Sequence, residues 1–384
     1  MELYVHFPFC AQKCRYCDFA SYPGQAHLME PYADALLREA SFFAHEVQSP
    51  ISTVYFGGGT PSLLPAPTLT RLIQGLKTLL PLDEVQEWTV EANPGTLTRP
   101  WLEAARQEGV NRLSLGMQAA QPRLLSLLGR IHSFQQVQAS VDLARKAGFE
   151  NLNLDLIFGL PTQTKAEWQE TLEAAFSLGI QHLSAYGLIP EPGTPLLADL
   201  EAGKLALPAV EEERDMYETL LQSAAKQGLE QYEISNFARP GYACQHNIGY
   251  WRQVPYLGLG VSAASMLLRP HSAPGMTYLR RTNTRSLQDY LSGMQNHAPV
   301  LQEEELISPA EARFETMMLG LRMNAGVAEE DFVRLHGVSL ESCFGDQLRL
   351  LASRDLVYQK DHAWRLTRQG MDLQNMVLVD LMED

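Results

Sequence analysis

Apolar residues along the chain fall into two alternating periods. Short runs with a period near two occupy 3–7 (LYVHF), 53–56 (TVYF), 88–92 (WTVEA), 112–117 (RLSLGM), 152–158 (LNLDLIF) and 183–189 (LSAYGLI), and each predicts a β-strand. Between them, 31–46, 67–80, 98–108, 134–147 and 165–178 repeat apolar positions near every 3.6 residues and predict helices. Gly109, Gly148 and Gly179 each stand shortly before the next strand, where a helix-ending glycine belongs. Regular β-α alternation predicts a parallel sheet with helices on its face. Six such units fall short of the eight in a complete barrel. The expected fold class is therefore α/β, a partial (β/α)6 TIM-like barrel over residues 1–205.

Past residue 205 the alternation fades. A helical stretch at 208–227 leads into YEISNFA and an aromatic, Gly-rich segment, 242–266, and the expected second unit is a barrel extension over 206–299. From about residue 300 helical patterns dominate (308–323, 328–336, 339–353), followed by a strand–turn–strand candidate at LVYQKDHAWRLT and a last helix. That order predicts a small, mainly helical, winged-helix-like C-terminal domain over 300–384.

Composition narrows the function. With 45 acidic against 30 basic side chains the formal charge is −15, which disfavours nucleic acid as a partner, because non-specific binding depends on Lys and Arg neutralising phosphates. No basic leader precedes the first apolar stretch, and the longest apolar runs, 152–160 and 256–268, are too short or too Gly-broken to span a bilayer. The expectation is a cytoplasmic protein that is not transmembrane.

Three of the five cysteines, Cys10, Cys14 and Cys17, lie within eight positions as C-x3-C-x2-C, with Cys244 and Cys343 far away. An odd, clustered set argues against a disulfide framework. A zinc site wants four ligands, and only Cys244 with His246 could complete one. A thioredoxin-like pair would use Cys14 and Cys17 alone and leave Cys10 unexplained. An iron–sulfur cluster usually takes four thiolates; with three, one iron keeps an open position for another ligand. A second motif, TVYFGGGTPS, sets Gly57, Gly58 and Gly59 directly after the second strand, where missing side chains let backbone approach a ligand. No Lys-Ser/Thr pair follows, so a P-loop fails. Polar residues at later strand ends, Glu91, Asn93, Gln118 and Asp155, with Arg130 in LLGRIH, stand where barrel sites are built.

These motifs resemble the radical S-adenosylmethionine (SAM) superfamily, and Tyr16 just before Cys17 fits that signature too. The resemblance implies a [4Fe-4S] cluster on Cys10, Cys14 and Cys17, with the amino and carboxylate groups of SAM on the open iron. It also implies that an electron from the reduced cluster, delivered by an outside electron donor, can split SAM into methionine and a 5′-deoxyadenosyl radical. Over nearly the whole chain, YVHFPFCAQKCRYCDF, YFGGGTPS, EANPGT, RLSLGMQ, LGRIH, NLDLIFGLP and QYEISNFA look like the group built around oxygen-independent coproporphyrinogen III dehydrogenase (HemN). The resemblance places Tyr4, Phe19, Gly58, Gly59, Thr60, Glu91, Gln118, Arg130 and Asp155 around SAM. The tail from residue 300 is similar to that group's C-terminal domain.

Two features point away from the dehydrogenase. Only nine residues precede the first cysteine, and Phe19 stands where the dehydrogenase motif continues to a further cysteine. Instead, HNIGYW, His246 to Trp251, resembles the motif of the HemW heme chaperones. This implies heme as a ligand, delivery to acceptor hemoproteins of respiratory type, and no catalytic residue of classical turnover, although reductive SAM cleavage stays open. Imidazole is a good iron ligand and aromatic rings offer flat faces, so His246, Tyr250 and Trp251 are the heme candidates; a buried structural histidine is the competing reading, and Cys244 a second candidate ligand. Ala264 and Ser262 replace a family histidine and glycine. The alternatives are radical oxidative decarboxylation of coproporphyrinogen III propionates and a zinc-stabilised scaffold.

Overall fold

The computed structural model describes residues 1–269 and 277–382; stretch 270–276 of the expected barrel extension and the last two residues lie outside it. The six predicted strands form β1 (Glu2–Phe7), β2 (Thr53–Gly58), β3 (Glu87–Ala92), β4 (Arg112–Gln118), β5 (Asn151–Phe158) and β6 (His182–Gly187). They are parallel and neighbours in chain order. The crossover helices are Met29–Phe43, Ala66–Leu79, Arg99–Gln107, Phe134–Lys146 and Lys165–Ser177. Two of them start from capping boxes, Ser133 with Gln136 and Thr164 with Glu167, which satisfy helix-end amides reciprocally. Gly109, Gly148 and Gly179 end helices at positive φ, as the sequence predicts.

The sheet does not stop at six strands. On one side, β8 (Asn236–Ala238) adds antiparallel to β6 and β7 (Glu230–Glu233) antiparallel to β8; on the other, β9 (Tyr256–Leu259) lies parallel to β1, and β10 (Ala264–Arg269), β11 (Thr277–Asn283) and β12 (Leu301–Ile307) follow antiparallel. Among the described residues the order is β12-β11-β10-β9-β1-β2-β3-β4-β5-β6-β8-β7. The sheet therefore continues through Ile307, past the boundary expected at residue 300. The edge strand β12 escapes a pattern reading because its sequence, LQEEELI, is almost wholly exposed; such charge suits an edge that must not pair with another chain.

The outward faces of the central strands bury Trp88, Leu113, Leu115, Leu152 and Leu154 against the helices, each such side chain contributing roughly 1.5–3 kcal/mol. A separate core, including Phe332, Phe344, Trp364 and Leu381, holds the C-terminal unit. There the helices Pro309–Gly320, Glu329–His336 and Leu340–Ser353 meet a three-stranded sheet built from Val327–Ala328, Val357–Lys360 and Ala363–Leu366. Among the described residues, no helix is long and apolar enough to cross a membrane.

Candidate functional site

Strand alternation makes the inside of the partial barrel polar. On β4, Leu113, Leu115 and Met117 are fully buried toward the helices, while Arg112, Ser114, Gly116 and Gln118 line an interior cavity of about 550 Å³. The same period-two rule sends Tyr55 of β2, Glu91 of β3, Asn153, Asp155 and Ile157 of β5, and Ser184 and Tyr186 of β6 into it. Gln118 takes a positive φ where β4 slips register against β5, local strain of the kind that persists at binding sites.

Cys10, Cys14 and Cys17, all partly buried, line the same cavity at the strands' carboxyl ends. Their loop is tied at several points. Phe9–Cys10 pairs with Tyr22–Pro23. The far end is held by Ala20, whose carbonyl lies 2.9 Å from His6 Nε2, and Arg15 is bound to Leu128 through its amide and to Asp199 through its guanidinium. Thr60 Oγ1 donates to Cys10 Sγ at 3.6 Å and Arg130 Nη1 to Cys14 Sγ at 3.5 Å. Burial pushes the Cys10 and Cys17 thiols up, so metal ligation would displace their protons. Among the described residues no three His, Cys, Asp or Glu side chains are drawn around one point for a single ion. A cubane cluster, with one thiolate per iron, does not need that convergence.

Most of the proposed SAM residues meet here. Glu91 accepts from Tyr55 Oη at 2.9 Å and from the Gly58 amide at 3.0 Å; burial, with Asp155 adding repulsion, pushes its carboxyl up to about 7. Asp155 is also pushed up by burial, opposed by donors from Ser114 (2.9 Å) and Asn153 (2.8 Å). Two half-buried acids and three thiols suit a ligand carrying ammonium and sulfonium charge. Arg130 donates to Asn93 Oδ1 (2.6 Å) and the Gly116 carbonyl (2.7 Å). Phe19, 64% exposed, stands at the mouth, and Gly59 and Gln118 also line the cavity.

Two residues stand one layer back. Thr60 is buried between Cys10 and Asn93. Tyr4 does not line the cavity; it lies beside Tyr55, with its hydroxyl 3.0 Å from His6 Nδ1. Gly58 is needed for a reason the sequence did not reveal: at φ +105° its absent Cβ would run into the His6 ring.

HNIGYW folds as the helix Gln245–Trp251 under the opposite, amino end of the strands. Glu87 caps it, accepting from the amides of Gln245 (3.0 Å) and His246 (3.1 Å) and from Cys244 Sγ (3.3 Å). His246 is 1% exposed, with Nδ1 2.8 Å from Thr53 Oγ1 and Nε2 3.0 Å from Tyr250 Oη. Tyr250 packs edge-on against His246 and Tyr256, and Trp251 lies under the Arg322 guanidinium. The structure brings none of the three heme candidates to the cavity, and both His246 nitrogens have partners. In this arrangement His246 links β2 to its own helix. The residue of the motif that does line the cavity is Asn247. Asn247, Tyr55, Arg112, Ser114 and Tyr186 were not singled out by sequence, although strand alternation carries the signal for the last four.

A family model described as the radical SAM superfamily matches residues 4–175, and one described as the HemN C-terminal domain matches 307–373. The heme chaperone HemW of Bacillus subtilis is 37% identical over 97% of this chain and 97% of its own. This chain belongs to the HemW family. Escherichia coli HemW is 33% identical over 98% of this chain and 97% of its own. Coproporphyrinogen III oxidase (HemN) from Escherichia coli superposes with a TM-score of 0.83 at 24% identity, covering 99% of this chain and 89% of that one, which shows that the HemW-family chain shares the HemN fold. Radical SAM membership supports a [4Fe-4S] cluster and SAM as cofactors, and the alternative of a zinc scaffold falls away.

Proposed function

We propose that this protein is a heme chaperone: it binds heme and passes it to acceptor hemoproteins in the cytoplasm, while Cys10, Cys14 and Cys17 hold a [4Fe-4S] cluster and Glu91, Asp155, Gln118 and Arg130 hold SAM. The observation that carries this reading is end-to-end identity with curated heme chaperones at 37% over 97% of both chains. The donor set supports the cofactors. Three cavity-lining thiols leave one iron without a protein ligand, and the paired half-buried acids offset positive charge on SAM. When bound and reduced by an outside donor, the cluster supplies an electron to the sulfonium. The chain's own residues position and shield: Thr60 and Arg130 donate to cysteine sulfurs, and His6 braces the loop through Ala20. At the cavity mouth Phe19 (64% exposed) and Ile189 (71% exposed) stand beside Gln12, Asp18 and Glu191, two apolar side chains at the entrance that a porphyrin would pass.

The fold shared with HemN favours a second reading, oxidative decarboxylation of coproporphyrinogen III. Anaerobically reconstituted protein, SAM, dithionite and coproporphyrinogen III decide between the two. The chaperone reading expects heme binding and transfer to an apo-hemoprotein without repeated formation of protoporphyrinogen. Multiple turnovers to protoporphyrinogen would replace it with the second.

A further inference from the structure

The floor of the cavity holds a cation that the cluster and SAM leave unused. Arg112 opens β4, is 2% exposed, and lines the cavity. Its Nη1 reaches Thr89 Oγ1 only at 3.4 Å, and its Nε has no acceptor. Among the described residues, no carboxylate stands within ion-pairing distance of it. The nearby acids are engaged elsewhere: Glu87 with the amides of Gln245 and His246 and with Cys244, Asp155 with Ser114 and Asn153, Glu91 with Tyr55 and Gly58. A buried guanidinium is costly unless an anion meets it. Above it on the same strand face, Ser114 and Gly116 also line the cavity, with Gln118, Arg130 and Asn93 packed over Gly116. The HNIGYW helix, at the same amino end of the strands, also presents Asn247 to the cavity.

We infer that Arg112 and Asn247 form a carboxylate-binding subsite at the floor of the barrel, which anchors the acidic end of a ligand entering from the cysteine side. A planar guanidinium matches a carboxylate's paired oxygens, and a carboxamide lining the same end of the cavity can add a further donor. Two ligands could bring that group, a heme propionate or the aminoacyl end of SAM. The propionate is favoured. Six residues separate Arg112 from Gln118, about 20 Å of strand, and the aminoacyl end of SAM is drawn to the cysteine end of that span. This assignment of the source rests on the heme-chaperone reading; the subsite itself does not. The HNIGYW segment also gains a purpose, since the buried His246 brace fixes the helix that carries Asn247.

The test is equilibrium binding to the anaerobically reconstituted full chain, with four probes: heme, heme dimethyl ester, SAM and decarboxylated SAM. Wild type is expected to prefer heme over its ester. Arg112→Met should lower heme affinity about 10- to 100-fold, the range of a charge-assisted hydrogen bond, and leave the ester unchanged; Asn247→Leu should do the same to a smaller degree. Loss confined to SAM against decarboxylated SAM would keep the subsite and reassign its source. If Arg112→Met does not fold, wild type against Asn247→Leu with heme and its ester still decides. Wild type without preference for heme over its ester, together with SAM binding that the Arg112 and Asn247 variants leave unchanged, overturns the subsite, as does equal loss for acid and carboxylate-free probes. Failure of wild type to bind heme at all would refute the chaperone reading, while the SAM pair would still test Arg112.

Discussion

The two ends of the barrel interior are built from the same alternating strands and handle polar groups in opposite ways. At the carboxyl ends, polar atoms are left facing a cavity: three thiols line it, Phe19 is 64% exposed, and Gln118 is held at positive φ. At the amino ends, the polar atoms largely satisfy one another. Glu87 caps a helix, Cys244 donates to Glu87, and His246 spans Thr53 and Tyr250. Of the HNIGYW motif, Asn247 lines the cavity while His246 and Tyr250 bond within the floor. The cysteine end leaves most of its polar groups to the cavity, whereas the floor leaves it only Arg112 and Asn247.

The sharpest way to break this comparison is to exchange cysteines between the two ends. Replacing Cys10, Cys14 and Cys17 together with Ala should abolish the cluster, read as loss of iron and of charge-transfer absorption. Cys244→Ala should keep a full complement of iron and cost about 1 kcal/mol of stability, one buried hydrogen bond to Glu87. Cluster loss in Cys244→Ala would mean that the floor thiol takes part in ligation and that the two ends are not separate.

The next effect is at the floor. His246→Ala removes two buried hydrogen bonds and leaves a void, so unfolding free energy should drop by about 2–4 kcal/mol with the heme spectrum unchanged. Burial, with Arg112 adding to it, pushes the His246 pKa down from 6.5 to about 3. A folded-state value below the unfolded one means the unfolded chain takes up the proton first. The contribution of neutral His246 is therefore full above pH 6.5 and fades as pH falls toward 3. Denaturant melts across that window should show wild type losing more stability than His246→Phe. A shifted Soret band in His246→Ala with an unmoved melt would restore the ligand role.

How far this contrast was legible depends on what each end asks of the sequence. The six parallel units stand within a few residues of their expected places, because period-two strands and period-3.6 helices separate cleanly when every strand is followed by its crossover. The cysteine loop was legible because its spacing is local. The edge strands were not. In β12 three consecutive glutamates hide a strand whose side chains are mostly exposed, and β9 and β10 lie inside a continuous apolar, Gly-rich run without alternation. His246 could not be placed from sequence, because a lone histidine beside aromatics reads the same whether it faces a ligand or Thr53. Arg112 was passed over as the first residue of a strand; its burial arises only when β3 and β5 close on either side.

At the mouth, Gly58→Val sharpens the same contrast. The side chain would strike His6, which holds Ala20 at the far end of the cysteine loop. It should weaken SAM binding about 10-fold or more, a loss of about 1.4 kcal/mol, and also reduce cluster occupancy, while Ala at Gly109, whose absent Cβ has nothing within 4 Å, does neither. Calorimetry with iron analysis separates the two effects. Lost SAM binding with an intact cluster would mean that His6 does not brace the loop.

The smallest effect tests whether the mouth tunes its cluster as well as holding it. Thr60 Oγ1 donates to Cys10 Sγ at 3.6 Å and accepts from Asn93 at 2.8 Å. Hydrogen bonds to cluster sulfurs stabilise the more negative, reduced state and raise the potential. Thr60→Val keeps the shape and removes the hydroxyl, so the potential should fall. One weak hydrogen bond is worth about 1 kcal/mol, which for a one-electron couple is about 40 mV. Asn93 keeps its bond from Arg130, so the loop should hold its place and iron content should not change. Redox titration followed by electron paramagnetic resonance reads the shift directly. An unchanged potential would mean that the hydroxyl serves Asn93 alone, and a loss of iron would make Thr60 a structural support of Cys10 rather than a tuner of its sulfur.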